Sequence, residues 1–179
     1  PIADKSKILK KLKLKKKKYF LVTLHRPESV DIRKNLSSLL KTFKVLYEKY
    51  GYPIIFPIHP RTKNNMKKLN LSFDKNIKII EPLEYLDFLK LMKDSKLVLS
   101  DSGGIQEEAS ILGIPCVTLR ETTERQITLL RNVNIMAGYN QNKIIRAVEK
   151  FQNKKIKKIK DFGTGHVTNK IYKKLIALS

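Results

Sequence analysis

A chain of 179 residues, 41% of them hydrophobic, is one domain's worth of sequence and long enough to bury a sizeable core. Its apolar runs fall short of the roughly 18 residues that a membrane span needs, and the early lysines precede no apolar stretch long enough for a secretory signal. The single cysteine excludes an internal disulfide, which fits a cytoplasmic location, and the formal charge of +22 would attract polyanions.

Residues 1–18 carry nine lysines around Ile8, Leu9, Leu12 and Leu14 and read as a basic linker or a short helix. Elsewhere lysine again outnumbers arginine and is spread along the chain, with no RNP, zinc-finger or arginine-rich signature. A solvated basic surface is therefore favoured over nucleic-acid binding.

Tyr19 to Leu24 is the first core strand. His25-Arg26-Pro27-Glu28 follows it, where open α/β sheets hold ligands, and both basic side chains can donate to phosphate oxygens. Asp31 to Tyr50 is helical, with Ile32, Leu36, Leu39, Leu40, Phe43, Leu46, Tyr47 and Tyr50 on one face and Gly51 as the stop. Pro53 to Ile58 is the second strand and ends in His59-Pro60-Arg61-Thr62, a second basic pair that also fits a turn set by Pro60. A short helix over Lys63–Leu69 leads to a third strand, Ile77 to Ile80. Glu84 to Met92 is a helix with Tyr85, Phe88, Leu89 and Met92 along one stripe.

Leu97-Val98-Leu99 reads as a buried parallel strand, and Ile105, Ala109 and Leu112 recur at helical spacing up to Gly113. Ser102, Gly103 and Gly104 therefore lie on a turn from strand end to helix start. Unpaired amides and the helix dipole make that place suited to an anion. A tight turn capped by Asp101 or Ser102 fits the same residues. Cys116, inside the apolar Pro115–Leu119 strand, reads as a buried thiol rather than a nucleophile.

Thr123 with Gln126 fits a capping box that starts a helix, with Arg125 in its first turn, set against the dipole. Val133 to Met136 is a sixth strand and Asn140 to Phe151 a helix. Phe162-Gly163-Thr164-Gly165 breaks the chain, and His166 to Leu178 forms a last helix. These spans divide the chain into residues 1–18, a domain over 19–165 and a terminal helix over 166–179.

Six alternations of strand and helix call for a doubly wound, Rossmann-like parallel sheet of order 3-2-1-4-5-6. The polar clusters all follow strands and gather at the carboxyl edge. Glu107 and Glu108 lie in the first turn or so of their helix, as surface acids or as acceptors for ribose hydroxyls. The set reads as a nucleotide-diphosphate site. A Walker A motif and a Gly-x-Gly-x-x-Gly turn after the first strand are both absent, which argues against a P-loop and against NAD. The three histidines lie far apart in sequence with no metal-ligand spacing.

The string Ser100-Asp101-Ser102-Gly103-Gly104-Ile105-Gln106-Glu107-Glu108-Ala109, with Leu112-Gly113-Ile114-Pro115 and Thr122-Thr123-Glu124-Arg125, resembles the non-hydrolysing UDP-N-acetylglucosamine 2-epimerases. The likeness runs from Thr23 to Gly165. It implies one half of a two-domain GT-B arrangement, the carboxyl-terminal domain that holds UDP, with the amino-terminal domain supplied in cis or in trans and a homodimer in the full enzyme. It implies that His25 contacts the diphosphate and is catalytic, that Arg26 also lies in the UDP site, and that Ser102, Gly103, Gly104 and Arg125 bind phosphate. Glu108 would hold the ribose hydroxyls and Phe88 would border the uracil. Arg26 and His59 match positions near a second, regulatory UDP-sugar in some members. The implied reaction converts UDP-GlcNAc to UDP-ManNAc by elimination and re-addition of UDP and needs no redox or metal cofactor.

The family's Glu-Asn is here Glu28-Ser29, its Glu-Arg-Pro-Glu is Glu124-Arg125-Gln126-Ile127, and an expected glycine is replaced near Asn132. His59-Pro60-Arg61-Thr62 occurs in relatives acting on modified UDP-sugars. The donor-binding half of a GT-B glycosyltransferase and a UDP-sugar-binding module without chemistry are the competing readings.

Overall fold

A computed structural model describes residues 2–152, 154, 156–163 and 167–176. Its centre is six short strands, β1 (Phe20–Thr23), β2 (Ile54–Pro57), β3 (Ile77–Ile80), β4 (Leu97–Ser100), β5 (Cys116–Thr118) and β6 (Asn134–Met136). They form one sheet of order β3-β2-β1-β4-β5-β6, and every adjacent pair is parallel. The predicted order and the Rossmann-like class both hold.

Both faces of the sheet are covered, so its strands are apolar almost throughout. The twofold alternation of a strand deals the residues to two cores. Phe20, Val22, Ile54, Phe56, Leu97, Leu99 and Val117 face one core with α3 (Arg33–Tyr50) and α8 (Gln141–Gln152). Leu21, Ile55, Val98 and Cys116 face the other with α1 (Ile8–Lys11), α5 (Tyr85–Asp94) and α6 (Gly103–Leu112). Burial pushes the Cys116 thiol up to about 12, as an inert core residue should be. The remaining helices are α2 (Pro27–Val30), α4 (Pro60–Lys68), α7 (Gln126–Leu130) and α9 (Val167–Ile176).

Several helices differ from the expected reading, and the one expected over Lys63–Leu69 starts earlier, at Pro60, with His59 as its N-cap residue. The predicted helix over 31–50 begins two residues late, as α3 at Arg33, because Ile32 is extended (φ −93°, ψ 110°), and a separate short helix, α2, opens at Pro27 ahead of it. Ile32 is thereby 49% exposed rather than core. In α5, Leu91 and Met92 carry the burial, while Tyr85 is 59% exposed. The helix expected at Thr123 starts at Gln126 instead. The capping-box partners do meet, but Gln126 Nε2 donates to the Thr123 carbonyl at 2.8 Å and Thr123 Oγ1 accepts from the Arg125 amide at 3.1 Å. Those bonds close a turn ahead of α7, which makes Arg125 its N-cap residue. His166 and Leu178, the expected bounds of the last helix, lie outside the described residues, as does the 165/166 boundary.

The lysine-rich start is folded back on α5. Ile8 is buried in the second core. Lys17 Nζ donates to the carbonyls of Lys93 and Ser95 at the end of α5, both at 2.9 Å, and the buried carboxylate of Asp94 pairs with Lys16 and Lys90. Lysine donors at a helix carboxyl end offset the negative end of its dipole.

Candidate functional site

The chain runs outward from β1 to β3, then returns to place β4 beside β1. Loops leaving the carboxyl ends of β1 and β4 diverge at this switch point and leave a crevice. Thr23 and Ser100, paired in the ladder, end these strands, and their hydroxyls are 2.7 Å apart.

Asp101 follows Ser100 and is fully buried. Its Oδ2 accepts from the backbone amides of His25 at 3.0 Å and Arg26 at 2.9 Å. Its Oδ1 lies 3.2 Å from His25 Nδ1. Burial pushes the Asp101 carboxyl up, but the bonds from the His25 ring and from the Arg26 and His25 amides outweigh it and hold the group below the usual carboxylate range. A carboxylate at Nδ1 favours the proton there and leaves Nε2 for a ligand. Asp101 was legible only as a capping candidate. Its contact with His25 spans 76 residues, and no local spacing announces it.

Ser102 is the N-cap residue of α6, yet its hydroxyl makes no cap bond. Neither expected cap is realised, so the hydroxyl is not spent on its own helix. Gly103 and Gly104 open α6. A Cβ on Gly103 would meet Glu124 Oε1 at 2.8 Å and the Arg125 guanidinium carbon at 3.8 Å, so the missing side chain lets charged groups approach the first amides. Arg125 pairs with Glu107, and Arg120 donates to Glu124 at 3.1 Å. A hydrogen bond to its own backbone, with Arg120 and Arg125 nearby, holds the Glu124 carboxyl low. Burial, and then the neighbouring Glu107, raise Glu108.

A cavity of about 190 Å³ opens past the end of β1, between Thr23, Leu24 and His25 on one side and Pro57, His59, Pro82, Leu83 and Phe88 on the others. It joins three predicted residues, His25, His59 and Phe88. The His25 and His59 ring centroids are 5.6 Å apart. His59 Nδ1 accepts from the Arg61 amide at 3.2 Å and caps α4. Arg61 is not part of the cluster, since its Nε reaches out to Asp31 at 2.9 Å. Larger, more open grooves lie elsewhere, such as that of about 550 Å³ lined by Arg33, Lys34, Ser37, Ser38, Lys41 and Gln141, which holds none of the predicted site residues.

Eight buried side-chain polar atoms lack a hydrogen-bond partner among the described residues, and four of them are Arg26 Nε, Gln106 Nε2, Glu108 Oε2 and Arg125 Nε. The Arg125–Glu107 contact is an ion pair by proximity without hydrogen-bond geometry at Nε. Buried polar groups are normally satisfied, so the unmet atoms of Arg26, Glu108 and Arg125 mark where a polar ligand belongs, while Gln106 Nε2 lies behind the turn. Among the described residues no group of three or more His, Cys, Asp or Glu could hold a metal ion.

The family model for UDP-N-acetylglucosamine 2-epimerase matches residues 2–176. The chain belongs to that family. A UDP-N-acetylglucosamine 2-epimerase of Methanocaldococcus jannaschii is 50% identical over 152 residues, which is 82% of this chain and 41% of the relative. The crystal structure of the epimerase from that organism, in complex with UDP-GlcNAc and UDP, superposes with a TM-score of 0.89 at 44% identity over 98% of this chain and 50% of that one. A UDP-2,3-diacetamido-2,3-dideoxy-D-glucuronate 2-epimerase of Pseudomonas aeruginosa is 32% identical over 89% of this chain and 45% of its own length. The chain thus spans about half the length of the epimerases it matches, and its sheet corresponds to one of their halves.

Two departures from the family pattern have a local account. Asn132, near which a glycine is expected, sits at φ +54° after α7, a conformation that asparagine tolerates better than most residues. Gln126, where a proline is expected, closes the turn with its side chain instead of a fixed φ.

Proposed function

We propose that this chain is the UDP-holding, carboxyl-terminal half of a UDP-N-acetylglucosamine 2-epimerase with a GT-B arrangement. The observation that carries the reading is the set of unpartnered buried atoms of Arg26, Arg125 and Glu108 by the Ser102–Gly104 turn, where the arginines would meet a diphosphate and the carboxylate a ribose. The glycine amides and the Ser102 hydroxyl donate to phosphate oxygens, the His25 ring contacts the diphosphate, and Arg125 leaves Glu107 to neutralise the anion. Arg26 lies beside the same turn. Glu108, once ionised, accepts from the ribose hydroxyls. The uracil enters the cavity bordered by Phe88. His59 lies across that cavity and, with Arg26, is assigned to a second UDP-sugar site.

Elimination breaks the C1–O bond of the UDP-sugar as a base takes the C2 proton. UDP then adds back to the glycal, with a proton delivered to the opposite face of C2. Holding UDP against escape while the glycal turns over is the task of this half. The acids and bases at C2 come mainly from an amino-terminal half, in cis or in trans, within a homodimer. Among the described residues no helix is long and apolar enough to cross a membrane, and a cytoplasmic site of action is part of the proposal.

A calorimetric titration with UDP at moderate salt tests the reading. Saturable binding that Arg125→Ala and Ser102→Ala both weaken is the expected result. Binding that neither substitution alters would overturn it.

A further inference from the structure

Behind the glycine turn lies a buried polar network. Gln106, one turn into α6, and Asn134, the first residue of β6, are 0% and 3% exposed. Gln106 Oε1 accepts from Thr123 Oγ1 at 2.7 Å and from Asn134 Nδ2 at 3.1 Å. Asn134 Nδ2 also donates to Thr128 Oγ1 at 3.1 Å, while its Oδ1 accepts from Thr118 Oγ1 at 2.9 Å. The two threonine hydroxyls reach the same neighbour. Thr123 Oγ1 accepts from the Arg125 amide at 3.1 Å, and Thr128 Oγ1 donates to the Arg125 carbonyl at 2.7 Å. The backbone at Arg125, φ −98° and ψ 51°, is neither helical nor extended, and these two hydroxyl bonds hold it together with the Thr128 amide, which donates to the Arg125 carbonyl at 3.0 Å.

Such a network has an energetic cost. Gln106 Nε2 has no hydrogen-bond partner among the described residues, and a buried unmet donor is destabilising. A leucine or methionine would fill the space without that penalty. The carboxamide is explained if its oxygen holds something that matters more than local stability. The residue at the end of both chains of bonds is Arg125, whose guanidinium stands over the first amides of α6.

We propose that Gln106 and Asn134 are positioning residues for Arg125, two buried carboxamides that act through Thr123 and Thr128 to fix its backbone so that the guanidinium meets the anion bound at Gly103 and Gly104. The proposal rests on the UDP reading above. It assigns the two carboxamides no contact with the ligand.

The test pairs hydrogen exchange with UDP titration on this chain. Gln106→Met should speed exchange of the Arg125 amide by at least about tenfold and weaken UDP by about tenfold, while on an Arg125→Ala background it should weaken UDP no further. Thr123→Val breaks the same link from its more exposed end and should reproduce both effects even if Gln106→Met does not fold, and Thr123→Ser should restore wild-type behaviour. An unchanged Arg125 amide in the variants that fold, or a loss of UDP affinity that adds in full to that of Arg125→Ala, would overturn the positioning role. A wild-type chain that does not bind UDP overturns the UDP reading instead, and the exchange measurement still decides whether the network holds Arg125.

Discussion

Three residues at the turn do work that their neighbours cannot supply. Asp101 is ionised inside the fold because it gathers the His25 ring and two backbone amides. Its folded pKa is depressed, so its stabilisation is complete above the ordinary aspartate value and is lost as pH falls through the folded value. Asp101→Asn should therefore flatten the acid side of a urea-midpoint profile below about pH 4. The same variant should weaken UDP by about tenfold or more, because a charge-assisted bond that orients His25 is gone. An unaltered acid profile would refute the assignment. Ser102→Ala makes a contrasting case. An N-cap serine normally contributes about 1 kcal/mol to its helix, but this one makes no cap bond. The expected result is an unchanged melting temperature with UDP binding weakened several-fold, read by thermal scan and calorimetry. Gly103→Ala should also fold, since the clash is with the far end of the Glu124 side chain. It should lose most UDP affinity, because the new methyl group occupies the phosphate's approach.

At the level of elements, apolar periodicity and glycine punctuation carried most of the architecture. Every strand lies where an apolar run stands, and Gly51 and Gly113 end α3 and α6 in the left-handed region at φ +66° and +71°. The misreadings share one cause. A helix start depends on backbone bonds that composition only suggests, so Asp31–Ile32 and Thr123 looked helical while the chain used Pro27 and a side-chain-closed turn. Of the candidate site, the residues after β1 and β4 were readable because their place at a sheet edge follows from topology. The Asp101–His25 contact and the Gln106–Asn134 bond were not, since each joins residues from different elements. Asn132 offers a check at this scale. Asn132→Ala should cost about 1 kcal/mol in urea unfolding through its positive φ, and Asn132→Gly should cost little. Equal midpoints for the two variants would mean that the turn after α7 relaxes.

For the whole molecule, charge and ligand chemistry separate cleanly. The net charge of +22 strengthens attraction for UDP at low salt through long-range steering, but a buried diphosphate contact is screened far less than a surface one. UDP affinity should accordingly fall only modestly between low and moderate salt. A collapse by orders of magnitude would instead mark diffuse polyanion binding. Incubated with UDP-GlcNAc, the chain by itself should show no epimerisation by proton NMR. Turnover at the rate of a two-domain epimerase would mean that this half carries its own acid and base.

The lashing of the first and fourth strands has a mechanical consequence. The Thr23 and Ser100 hydroxyls touch, and Asp101 grips the loop that bears His25. The histidine and the glycine turn therefore cannot part without breaking several short bonds. A diphosphate bound as proposed would meet a stiff jaw rather than a pair of fingers. If nucleotide is to enter and leave a catalyst built this way, the opening movement must come from the opposing jaw or from the joint between them, and substitutions in that joint should slow product release without altering how tightly this half grips UDP.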